Sequence, residues 1–337
     1  MHLLDTTTKR LSSFFNERRP PYAILSHTWG SEEVTFQDLE KFHEDSSRQH
    51  SFASSLSSRA GWRKIQACCD QALRDGFEWV WIDTCCIDKS SSAELSEAIN
   101  SMFAWYRDSK VCYVFLSDVD EAVEDISGPN SSFRGSRWFT RGWTLQELLA
   151  PGRIIFFNSS WQVIGRLRKG SRMSEVVSEI TSIQPAFLEG LDLRIANIAV
   201  RMSWASGRVT TREEDMAYCL LGIFEVNMPL LYGEGTKAFE RLQEEILKRS
   251  YDLSLLAWGL LPWDQGYSRS DTEDCGILAT STADFAGCGT INVCRVFATD
   301  DLSEDYQMTN QGLRVSLSLR APQEDGRVLR FERNQTR

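Results

Sequence analysis

Between residues 61 and 83 the chain reads as an amphipathic helix followed at once by an apolar strand, and this order constrains the fold more than any other feature. Trp62, Ile65, Cys69, Ala72 and Leu73 recur at helical spacing, and Gly76 stands where a left-handed residue ends a helix. Phe77-Glu-Trp-Val-Trp-Ile-Asp83 is then nearly all apolar, as a parallel strand covered on both faces must be. The pattern recurs along the first half of the chain. Residues 22–28 form an apolar run ending in polar residues, and residues 111–116 and 153–157 are two further strands. Between them, Thr35 with Asp38 starts a short helix, and Ser91 with Glu94 precedes a stripe of Leu95, Ile99, Met102, Phe103 and Tyr106. Strands alternating with helices imply right-handed crossovers, so the expected fold is α/β, a flavodoxin-like doubly wound parallel sheet. A strand order of 2-1-3-4 would open a crevice at the carboxyl ends of strands one and three, collecting Ser26, His27, Ser117 and Asp118.

Three regions are expected. Residues 1–170 form the α/β core, with the Ser-rich 44–58 segment as a surface loop. Residues 171–260 form a helical extension, with helices over 173–183, 195–205, 212–224 and 237–249, the third behind a Thr211/Glu214 capping box. Residues 261–337 form a β-rich region, expected to be incomplete, with alternating runs at 291–298, 312–319 and 328–331. Gly233-x-Gly235 has neither a preceding strand nor a following Lys-Ser/Thr, which excludes a phosphate loop.

A net charge of −10 with no compensating Lys/Arg cluster argues against nucleic acid as a partner. The N-terminus lacks the apolar centre of a signal peptide, and the longest apolar stretch, 253–263, is too short for a bilayer. The expectation is a cytoplasmic protein that does not bind membrane. Nine cysteines include the neighbours Cys68-Cys69 and Cys85-Cys86, which suit neither disulfides nor zinc, so reduced thiols and no metal are expected.

Residues 136–151, SRWFTRGWTLQELLAP, hold the carboxylate of most interest, Glu147. Thr144 and Glu147 have capping-box spacing, Trp143 and Leu148 fit a hydrophobic staple, and Pro151 limits the helix to about two turns. Trp143 and Glu147, four apart, can share one helix face.

Three blocks carry a resemblance to a known family: Tyr22-Ala-Ile-Leu-Ser-His-Thr-Trp-Gly30, Trp81-Ile-Asp-Thr-Cys-Cys-Ile-Asp-Lys89 and Arg141-Gly-Trp-Thr-Leu-Gln-Glu-Leu-Leu-Ala-Pro151. With them the chain resembles the heterokaryon-incompatibility (HET) domain proteins of filamentous fungi over roughly residues 1–260. The resemblance implies a cell-death effector. HET domains in turn resemble Toll/interleukin-receptor (TIR) domains, several of which hydrolyse NAD⁺ through a glutamate in a W-x-x-x-E pattern on the helix after strand three. Trp143 and Glu147 match that pattern here. This implies NAD⁺ or a related nucleotide as substrate, no cofactor, Glu147 as the catalytic carboxylate, and Ser26, His27, Trp29, Asp83, Arg141 and Trp143 around the substrate. It also implies self-association, through a loop near residues 83–92, and an unidentified regulatory protein.

Each residue has a plainer role available. Glu147 is either the carboxylate that stabilises a ribosyl cation or simply a cap, and Trp143 either stacks on nicotinamide or staples the helix. His27 lines the crevice or pairs with Cys85 or Cys86 as a hydrolase. Asp83 and Asp88 bind ribose or cap a loop, and Arg141 meets a phosphate or a nearby acid. A self-assembling module without catalysis is the main alternative function.

Overall fold

The computed structural model describes residues 1–15, 18–44, 55–120, 125–250, 252–259 and 276–291, and the backbone of 307–309 and 312–314. A seven-stranded mixed sheet organises it, in the order β2-β1-β4-β3-β5-β6-β7. The strands are β1 (His2–Asp5), β2 (Leu11–Ser13), β3 (Tyr22–His27), β4 (Trp79–Trp81), β5 (Val111–Phe115), β6 (Ile154–Phe157) and β7 (Val163–Leu167). β4, β3, β5 and β6 are parallel and run in the expected order, second, first, third, fourth. The edges correct the expectation of a parallel sheet. β1 and β2 form an antiparallel hairpin beside β4, and β7 runs antiparallel to β6. These edge strands are short or half-exposed, so they lack the continuous apolar run that identified the four central ones.

β3 is buried along its whole length, with Ala23, Ile24 and Leu25 fully inaccessible. Helices α1 (Phe36–Glu44), α2 (Ala60–Arg74), α3 (Ser92–Asp108) and α4 (Thr144–Leu149) connect and cover the central strands. Thr35 and Asp38 cap α1 reciprocally: the Thr35 N–H donates to Asp38 Oδ2 at 3.0 Å and the Asp38 N–H to Thr35 Oγ1 at 3.2 Å. α2 ends as its sequence predicts. Gly76 has φ +84°, and the N–H groups of Gly76 and Phe77 return to the carbonyls of Leu73 and Ala72. Ser91 caps α3, but the Glu94 carboxylate receives the Asp88 N–H and His2 instead of the N-cap amide, so that box is half made.

The following region contains α5 (Arg172–Thr181), α6 (Pro185–Leu188), α7 (Ile198–Ser203), α8 (Asp215–Tyr218) and α9 (Lys237–Leu247). The helix expected over 212–224 shrinks to the four residues of α8, and the Thr211/Glu214 capping box is not formed. Glu214 Oε1 is taken by the loop N–H groups of Gly233 and Gly235, at 2.7 and 3.1 Å. Both glycines have positive φ, which aims two alternate amides at one anion. Residues 276–291, expected within a β-rich region, form a 3₁₀ helix (Thr282–Thr290) tied to the helical part. The Gln243 amide exchanges two hydrogen bonds with Ala279, at 2.8 and 2.9 Å, and the Thr282 hydroxyl donates to Ala205 O. β8 (Gln307–Thr309) and β9 (Gly312–Arg314) form a hairpin. The runs at 292–298, 315–319 and 328–331, and residues 45–54 of the Ser-rich segment, lie outside the described residues. No helix among the described residues is long and apolar enough to cross a membrane.

Candidate functional site

Ser26 and His27 are consecutive on β3, so the pleat sends their side chains to opposite faces of the sheet. The single crevice lining expected of them therefore divides into two clusters, one on each face of the sheet.

On the first face, Ser26 Oγ donates to Glu147 Oε2 and accepts from Trp138 Nε1 at 2.8 Å. Trp138 comes from a short 3₁₀ turn (Arg137–Thr140) just before α4, and Tyr106 from α3 completes the wall, donating its hydroxyl to Leu25 O at 3.0 Å. Glu147 is only 6% exposed. Burial pushes its carboxyl up to about 8, and the charge of Asp83 adds to this, while the Ser26 and Tyr106 hydroxyls and Arg208 pull it down. At neutral pH the carboxyl is thus mostly neutral, and a nearby positive charge would ionise it.

Glu147 is not a cap. Trp143 occupies the N-cap position with helical backbone angles and makes no side-chain cap bond. Thr144 is the first helical residue, and its hydroxyl turns back to Trp138 O at 2.5 Å and Arg141 O at 2.9 Å. The capping box and the staple are both corrected, because Trp143, the residue before α4, has helical rather than extended angles and Thr144 already lies inside the helix. Trp143 instead turns its indole toward Asp215, whose carboxyl it pulls down against the effect of burial. Arg141 is likewise turned away, its guanidinium donating to Thr211 Oγ1 at 3.0 Å.

Arg208, which no local pattern singled out, stands behind α4. It is 5% exposed, and its Nη1 donates to Arg141 O at 2.8 Å and Thr144 Oγ1 at 2.9 Å, while Nη2 has no partner among the described residues. Burial lowers its guanidinium to about 10, opposed by Cys219 and Glu147. Thr144 and Glu147 lie three apart, neighbours on the helix, so this cation reaches the carboxylate's own turn. Gly142 makes the approach possible. Residues 140–142 pair with Val209 through bonds of 2.7 and 2.9 Å, and a Cβ on Gly142 would stand 2.4 Å from Thr210 Cγ2.

On the second face, His27 Nδ1 lies 2.8 Å from Lys64 Nζ and His27 Nε2 lies 2.9 Å from Asp83 Oδ1. An ammonium only donates, so Nδ1 accepts and the Nε2–H donates to Asp83. Lys64 also bonds Glu33 at 2.5 Å. Asp83 Oδ2 receives the Trp29 indole N–H at 2.7 Å, and Lys89 Nζ sits 3.8 Å over the Trp29 ring. Burial would raise the Asp83 carboxyl, but His27, Lys89 and Trp29 together hold it well below the usual carboxylate range. The Cys/His pair is not formed. Both ring nitrogens of His27 are engaged, Cys85 and Cys86 are buried free thiols directed at Ile82, and burial together with its neighbour Cys86 drives the Cys85 thiol well up. Asp88 binds Ser90 and Gln37 and organises the loop before α3.

Ser26 and Glu147 therefore meet, His27, Trp29 and Asp83 form the second cluster, and Arg141 and Trp143 belong to neither. Trp138, Tyr106, Lys64 and Arg208 were missed. Trp138 lay within the stretch already singled out; Arg208 left no signal in the sequence.

Comparison with known proteins follows the same map. Residues 22–132 match the family model of the heterokaryon incompatibility protein (HET), a segment that holds Ser26, His27, Trp29 and Asp83 and ends before Glu147. Residues 237–323 match a domain of unknown function (DUF8212). Vegetative incompatibility protein HET-E-1 of Podospora anserina is 49% identical over 235 residues, covering 68% of this chain. The chain spans 16% of that protein's length. No solved structure matches.

Proposed function

The chain belongs to the heterokaryon-incompatibility (HET) domain family, and from that premise we propose that it is a cell-death effector acting by hydrolysis of NAD⁺ at Glu147. The observation that carries the reading is the buried pair Ser26–Glu147 at the carboxyl end of the central strand, with Glu147 free of any capping role. The order of the parallel strands, and a W-x-x-x-E glutamate on the helix that follows the third of them, support the likeness to TIR domains.

The chemistry asks little of the protein. The bond between ribose C1′ and the nicotinamide nitrogen breaks, its electron pair neutralises the nicotinamide ring, and positive charge moves to the ribosyl carbon. Glu147, ionised by the cationic substrate, stabilises that charge, and Ser26, fixed by the Trp138 N–H, orients the carboxylate. Water then adds at C1′ and loses a proton, giving ADP-ribose. Nicotinamide leaves neutral, so no general acid is needed.

Expression of the chain in a cytosol tests this. Toxicity accompanied by a fall in NAD⁺, both abolished by Glu147→Gln, is the expected result. A second reading, a self-assembling module without catalysis, draws on the depth of Glu147 and its existing hydrogen bond to Ser26. It predicts toxicity with NAD⁺ unchanged.

A further inference from the structure

We propose that Arg137 and Trp29 form the outer half of a site for a phosphorylated nucleotide, with a phosphate on Arg137 and the adenine ring against Trp29. This rests on the reading of the crevice as a nucleotide site and adds which end of the ligand lies where.

The chain leaves β3 toward β4 on one side of the sheet and returns to β5 on the other, so the topological switch lies between β3 and β5. In open α/β sheets ligands bind outside the carboxyl ends of the strands at such a point. Arg137 spans this gap. Its Nε donates to Thr28 Oγ1 at 3.0 Å, just after β3, and its Nη2 to Ser117 Oγ at 3.3 Å, just after β5. Its root is fixed as well, because its backbone N–H donates to Asp118 Oδ2 at 2.8 Å, beside the bond from Ser136 to the same carboxylate. Hydroxyls orient a guanidinium without neutralising it. Among the described residues Arg137 forms no ion pair, although the chain as a whole carries ten excess negative charges. An exposed cation held in place and left without an anion, with N–H donors to spare, is suited to a phosphate.

Trp29 follows Thr28 directly. It is 53% exposed, yet it is not loose: Asp83 holds its indole N–H and Lys89 covers part of its ring. An aromatic surface immobilised beside solvent has already lost the rotamer freedom that stacking would remove. Lys89 over the Trp29 ring and the unpaired Arg137 place two cations along this rim, which suits the phosphates of a nucleotide. The nicotinamide ribose then falls to the inner pair, Ser26 and Glu147.

Calorimetric titration of the full chain with ADP-ribose and with adenosine, which lacks the phosphates, tests the assignment without requiring turnover. Arg137→Gln should weaken ADP-ribose by about tenfold or more and leave adenosine within about twofold, as expected for loss of one charge-assisted phosphate contact. Trp29→Ala should weaken both ligands. Both side chains lie at the surface, and circular dichroism checks the fold; should Trp29→Ala unfold, Arg137→Gln decides alone. Wild-type affinity of Arg137→Gln for ADP-ribose, or no binding to the wild-type chain at millimolar ligand, overturns the proposal. Binding of ADP-ribose through these residues without nicotinamide release from NAD⁺ would sink the chemistry assigned to Glu147 and leave the nucleotide site standing.

Discussion

Replacing Glu147 by Gln should stabilise the protein at high pH and leave it nearly unchanged at low pH. In the folded chain the Glu147 carboxyl titrates at about 8, against an ordinary value of 4.5. The native state thus holds the proton more tightly than the unfolded chain. The resulting stability is complete below pH 4.5, declines through the window between the two values, and is gone above about pH 8. At about 1.4 kcal/mol for each pH unit separating them, the ionised carboxylate costs the native state up to about 5 kcal/mol. That is comparable to the whole stability of a marginal domain. Gln has the same shape, cannot ionise, and keeps a carbonyl oxygen for the Ser26 hydroxyl. Urea unfolding of wild type and Glu147→Gln at pH 5, 7 and 9 measures the difference, and other titrations common to both proteins cancel. The expected difference is under about 1 kcal/mol at pH 5 and several kcal/mol in favour of the variant at pH 9. A difference independent of pH would refute the argument, since Glu147 would then titrate as an exposed carboxyl does.

Arg208→Gln should move the Glu147 titration upward, visible in the infrared band of its protonated carboxyl, because a buried positive charge is lost from beside its helix turn. Arg208→Lys should restore part of the shift. Gly142→Ala should destabilise by about 1–3 kcal/mol in the same unfolding assay, since its new Cβ has no room beside Thr210 Cγ2. Replacing Cys85 and Cys86 together by Ala should leave nicotinamide release within a few-fold, because both thiols are buried away from His27; complete loss in a folded variant would contradict this.

The four central strands were legible because strands covered on both faces carry continuous apolar runs, here 22–25, 79–82, 111–116 and 154–157. The edge strands were not, since Leu11–Ser13 and Val163–Leu167 are half-exposed and carry no such run. Glu147 stood out in the sequence, but the pattern that drew attention to it, a capping box with Thr144, does not form. The box requires an extended N-cap, and Trp143 in that position is helical. The meeting of Ser26 with Glu147 follows from strand order, whereas the separation of Ser26 from His27 follows from the pleat, which a list of residues at one strand end does not express. Arg208 illustrates a deeper limit. It reaches Thr144 across 64 positions, a contact decided by how residues 208–210 lie against residues 140–142.

The most direct measurement is release of nicotinamide from NAD⁺ by the purified chain, followed across pH 6 to 9 for wild type and Glu147→Gln. The account predicts release by wild type, with kcat/KM rising through the Glu147 titration near pH 8 in the free protein, and a loss of about a hundredfold to a thousandfold in a well-folded Gln variant. Release by Glu147→Gln at a rate near that of wild type would contradict it.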